Sequence, residues 1–151
     1  MKSAFVGILT AVALCLSAKG QSIQFLQPAD GASLAPGHNF SIQIGQPLEL
    51  SGFENAAISF GYAACSQSVS DGTSVCPNVA APNQGVGAML ETFVFQPQLS
   101  HVPGTPPNQN FSIELPSYAT SKGVLSATLF YFGTAALAPM FTLANITILA
   151  A

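Results

Sequence analysis

The sequence predicts an all-β protein, an immunoglobulin-like β-sandwich of about seven antiparallel strands, and three observations carry that expectation. Short runs rich in Val, Ile, Thr, Phe and Tyr recur along the chain, each bounded by connectors dense in Gly, Pro, Asn and Ser. Several of these runs alternate apolar with polar residues, the period of a strand that has one wet face. Beyond the first 20 residues no segment reads as a long amphipathic helix.

Residues 1–20 read as a signal peptide: Lys2, an apolar run from Ala4 to Leu16, then small residues with Ala18 and Gly20 where signal peptidase cuts. The run is too short to cross a bilayer as a helix. The remainder, 21–151, suffices for a single sandwich domain and is too short for two. Strands are expected at 23–27, 40–44, 57–64, 88–95, 111–115, 124–132 and 142–149. The fifth alternates most regularly, with Phe111, Ile113 and Leu115 on one side and Asn110, Ser112 and Glu114 on the other. Pro116 ends it, and a polar corner leads through Gly123 into the run VLSATLFYF. Asp30-Gly31 and Asp71-Gly72 read as turns, because Asp bonds its own backbone and Gly supplies positive φ.

Three glycosylation sequons test the strand phases: Asn39-Phe40-Ser41, Asn110-Phe111-Ser112 and Asn145-Ile146-Thr147. In each, the middle residue continues an alternating apolar set, so Asn39, Asn110 and Asn145 should face water with Phe40, Phe111 and Ile146 buried beneath. A leader and glycan acceptors together predict a secreted, extracellular glycoprotein. Cys15 leaves with the leader, and the remaining Cys65 and Cys76 are expected to form a disulfide in an oxidising compartment.

Charged residues make up 6 % of the chain, where an ordinary soluble domain has about 25 %. After cleavage one lysine faces six acids, a formal charge of about −5. Such a chain cannot neutralise phosphate backbones, which excludes nucleic acid, and it has nothing with which to hold an anionic membrane. Residues 123–151 carry no charge, but Pro139 and the Asn145 sequon interrupt them, so they read as strand and no stable membrane anchor is expected.

Catalytic residues, metal ligands and cofactors are not predicted. His38 and His101 sit in turn-like sequence beside Gly or Pro, at no ligand spacing from each other. The chain has no Gly-x-Ser-x-Gly elbow and no phosphate-cradling loop. Six acids could in principle supply a glycosidase pair, yet the chain has no Trp on which a sugar could stack. A non-enzyme is the expectation.

Two runs fail to alternate. In MLETFVF and VLSATLFYF both faces are largely apolar. Central placement in a sheet would explain this. Alternatively Phe93, Phe95, Phe130 and Phe132 form an exposed apolar patch, which on a monomer marks a binding surface.

The segments PGHNFSIQI, AISFGYAAC and VGAMLETFVFQPQ, followed by NFSIELPS, GVLSATLFYFG, AP and NITI, give this chain a layout that resembles the small necrosis-inducing secreted effectors of fungi. The resemblance spans most of the mature chain, and its last four segments are the most specific. It implies a monomeric secreted protein that binds a host plant protein, such as a receptor-like kinase of immune signalling, and suppresses immunity or triggers cell death without catalysis. A structural glycoprotein of the fungal wall or surface is the alternative, since wall proteins with Ig-like domains share the early PG-x-x-F pattern. Retention with the cell fraction would separate the two.

Overall fold

The computed structural model describes residues 22–48, 52–67, 74–77, 86–119, 121–133 and 137–151. The expected leader and the Asp71-Gly72 turn lie outside them. The strands are β1 (Gln24–Gln27), β2 (Ala32–Leu34), β3 (Asn39–Gly45), β4 (Phe53–Ala64), β5 (Ser66–Gln67), β6 (Ser74–Val75), β7 (Ala88–Val94), β8 (Asn108–Glu114), β9 (Ser121–Gly133) and β10 (Ala138–Ala150). They form a three-stranded sheet of order β1-β3-β8, a five-stranded sheet of order β2-β10-β9-β4-β7, and a small β5-β6 hairpin. This is the expected Ig-like sandwich, with all seven anticipated strands present.

Period-two alternation decides what lies between the sheets. Ile42 and Ile44 from β3, with Phe111 and Ile113 from β8, point at Ile58, Phe60 and Tyr62 from β4 and Leu125, Ala127 and Leu129 from β9. Each such side chain stabilises the fold by about 1.5 to 3 kcal/mol through removal from water. Rings add geometry: Phe111 meets Phe60 edge-on with centroids 5.1 Å apart and lies 5.1 Å from Phe93 and 6.2 Å from Phe95.

The asparagines of all three sequons are exposed. Beneath them Phe111 is buried, while Phe40 and Ile146 are partly buried and packed on the core. The three phases read from the sequence therefore hold. Cys65 and Cys76 are bonded, with their Cα atoms 4.1 Å apart, and clasp the β5-β6 hairpin against Val124.

Three details depart from the expectation. One strand pairing is parallel: Ala32, Ser33 and Leu34 of β2 align with Ile148, Leu149 and Ala150 of β10. The Asp30-Gly31 turn places it, because Thr147 N–H donates to Asp30 Oδ1 at 2.6 Å and Gly31 N–H to the Thr147 carbonyl at 2.7 Å. Secondly, β9 is central as its two-sided apolarity suggested, but β7 is an edge strand. Its excess apolarity has another cause: Phe93 faces the core, and the chain just past the strand turns Phe95 fully into it. Thirdly, β4 and β10 begin earlier than their sequence patterns indicate, at Phe53 and Ala138.

Tyr62 is buried and its hydroxyl has no hydrogen-bond partner. Burial pushes its pKa upward, and neighbouring Tyr118 adds to the shift. A raised folded-state pKa favours the protonated form, so this contribution to stability is complete below the ordinary tyrosine range and is lost as pH rises through the folded value. Tyr62→Phe removes an unsatisfied hydroxyl at constant shape and should leave neutral-pH stability unchanged or raised. Urea melts from neutral to alkaline pH should show the wild type weakening faster than the variant at high pH.

Candidate functional site

Residues on the five-stranded sheet that do not face the core form its outer surface. At one end this surface is covered: Ser126 is buried, and its hydroxyl reaches the carbonyl of Val86 at 3.0 Å. Towards the other end it is open. Cross-strand register places Val94 of β7, Ala57 of β4, Phe130 of β9 and Phe141 of β10 side by side in one row. Val94 is 62 % exposed, Phe130 46 % and Phe141 59 %. In the next row outward Glu54, Phe132 and Pro139 are neighbours, and Phe132 is again exposed. Glu54 is the only charged residue in these two rows.

A bulge makes this row possible. Between Asn55 and Ala57 the β4-β9 register slips by one residue, so Asn55 faces inward while Glu54 and Ala57 both face outward. Asn55 and Gln46 exchange two amide hydrogen bonds, of 2.7 and 3.1 Å, which close the end of the sandwich below the patch. Beside the aromatic row runs a hydroxyl row, Thr92, Ser59 and Thr128. Ser59 and Thr92 bond each other at 2.8 Å, while the buried Thr128 Oγ1 has no partner.

Apolar exposure continues around the same end. Leu137 and Met140 of the β9-β10 hairpin are exposed, as are Leu48, Leu99 and Val102 on the β3-β4 and β7-β8 connections. A shallow groove with Pro47, Leu48, Leu99 and Pro107 in its walls opens between those connections. One end and one face of the molecule thus share a continuous apolar surface, in a chain with little charge to surround it.

Of the four aromatics singled out from the sequence, the structure brings only Phe130 and Phe132 to this surface. Phe93 and Phe95 belong to the core around Phe111, so their assignment to a contact patch is corrected. The sequence reading missed Phe141, Val94 and Met140. Phe141 was findable in principle, since a hairpin turning after Gly133 aligns it with Phe130, but its pattern had been read as connector.

The two histidines stay apart from any such cluster. His38 is exposed with Nδ1 3.0 Å from the Pro36 carbonyl, and His101 is exposed on the β7-β8 connection. Among the described residues no three His, Cys, Asp or Glu side chains converge as a metal site would require. No helix among them is long and apolar enough to cross a membrane.

Fold and surface together define an Ig-like sandwich whose most distinctive feature is an apolar sheet face. No protein-family model matches the sequence, and no curated protein is significantly similar to it. Among solved structures the chain is similar to the superoxide reductase (neelaredoxin) from Ignicoccus hospitalis, with a TM-score of 0.42 and 12 % identity over 89 % of this chain and 86 % of that one. It is also similar to the cellulose-active LPMO CelS2 in complex with copper, with a TM-score of 0.47 and 8 % identity over 79 % of this chain and 52 % of that one. Neither likeness bears on what this chain does.

Proposed function

We propose that this protein is a secreted, non-catalytic recognition domain that holds a protein partner against the aromatic outer face of the five-stranded sheet. The observation that carries the reading is the exposed row Val94, Phe130 and Phe141, continued by Phe132. Large apolar side chains gathered on one sheet face suit the centre of an interface, where charge is depleted and aromatics dominate. The family resemblance in sequence supplies the partner class, a host plant protein such as a receptor-like kinase, and the outcome, suppressed immunity or cell death. A structural role in the fungal wall is favoured instead if the chain stays with the cell fraction, and the three exposed sequon asparagines suit such a glycoprotein.

The test is binding to a plant protein recovered with the folded, disulfide-bonded chain. Phe130→Ser and Phe141→Ser should each weaken binding by about 30-fold or more, the loss of a central anchor. Affinity should change little with ionic strength. Phe95→Ser, by contrast, alters the core and should act through stability. Normal binding by both surface variants, or affinity that collapses in salt, would overturn the reading.

A further inference from the structure

The edge of the five-stranded sheet at β10 is open along most of its length. β9 covers one side of β10 from Ala138 to Ala150, but on the other side β2 covers only Ile148, Leu149 and Ala150. Thr147 directs its N–H and carbonyl away from β9, to Asp30 and Gly31. In an antiparallel ladder alternate residues direct both groups to the same side, so those of Asn145, Leu143 and Phe141 also point outward. Among the described residues these groups meet no backbone partner. An unpaired row of donors and acceptors calls for one occupant, another strand.

Edge strands are ordinarily guarded by charge, bulges or proline. The opposite edge, β7, has Glu91 and a slipped register beside Gly61. The β10 edge has no charge at all, since residues 123–151 contain none. Pro139 guards one end. Towards the other end the only device is Asn145, an exposed sequon asparagine on the same outer face as Phe141.

We propose that β10 pairs antiparallel with β10 of a second copy of this chain when Asn145 is bare, and that an N-glycan on Asn145 keeps the chain monomeric. A two-fold axis at Leu143 sets Phe141 of each copy opposite Asn145 of the other, satisfies the open row, and involves no like-charge contact. Directly opposed side chains in such a pair have Cβ atoms about 5 Å apart. A branched sugar on Asn145 cannot share that space with a docked strand. Pairing would also join the two outer faces, bringing Phe130 and Phe141 of both copies onto one surface. This inference does not rest on the proposed host target, because it is read without one.

The experiment is mass in solution, by light scattering and sedimentation at micromolar concentrations, on chains secreted from a glycosylating host. The wild type with sugar at Asn145 should have the mass of a monomer. Asn145→Gln and Thr147→Ala, which abolish the sequon in different ways, should each give twice the polypeptide mass, with amide exchange slowed at Phe141 and Leu143. Adding Phe141→Lys to Asn145→Gln places a charge on the edge and should return a folded monomer, as judged by circular dichroism. Monomeric Asn145→Gln would leave the edge to a strand of another protein and overturn the proposal. So would open-ended assemblies, a dimer that survives Phe141→Lys, or a dimer of the glycosylated chain.

Discussion

Phe111→Ala is expected to destabilise the protein by about 3 to 5 kcal/mol, the range for truncating a buried phenylalanine. Phe111 stands where the sheets meet most densely, with Phe60, Phe93 and Phe95 around it. Its removal leaves three rings without their common neighbour. They come from β4, β7 and the connection after β7, so they cannot close the gap together. Equilibrium urea unfolding measures the loss. A cost below about 1 kcal/mol would mean that the site collapses freely, which contradicts the packing described.

Gly123→Val is expected to cost about 3 kcal/mol, the upper part of the range for forcing volume into a filled core. Gly123 lies in central β9, paired to Ala64 on one side and Ile148 on the other, so its backbone is held from both directions. The ring of Tyr62 lies across it, and a Cβ built on Gly123 would overlap the ring and the hydroxyl oxygen at 2.6 Å. The absence of a side chain at 123 is thus what makes room for a large one at 62. Tyr62→Ala should itself be costly. In combination with Gly123→Val the total should be less than the sum, since each substitution relieves what the other damages. Additive losses would show that ring and glycine do not compete.

The regular parts of this fold were legible because they repeat a short-range signal. Phe111, Ile113 and Leu115 alternate with Asn110, Ser112 and Glu114, and that alternation states which side is wet without reference to any other strand. Cys65 and Cys76 were equally readable, since only they remain in the mature chain. The contact face was half legible. Whether a phenylalanine on an all-apolar strand faces core or water depends on the neighbouring strand and the chain beyond its end. Phe93 and Phe130 look alike in sequence, yet the first packs on Phe111 while the second stands beside Ala57, too small to cover it. The bulge at Asn55, the parallel β2-β10 pairing and the edge position of β7 are likewise properties of partners and left no local trace.

The β2-β10 seam also determines how the molecule bears mechanical load. Its two strands run in the same direction, so tension drawing residue 32 one way and residue 150 the other slides them lengthwise past each other. The rungs lie across that line of pull. They include the Gly31 and Asp30 bonds to Thr147 and the Ala151 N–H to the Leu34 carbonyl at 3.0 Å, and all are strained at once. A hairpin pulled open from its ends would surrender its rungs one after another. This protein therefore resists stretching between these points collectively, through a latch only three residues long on each side.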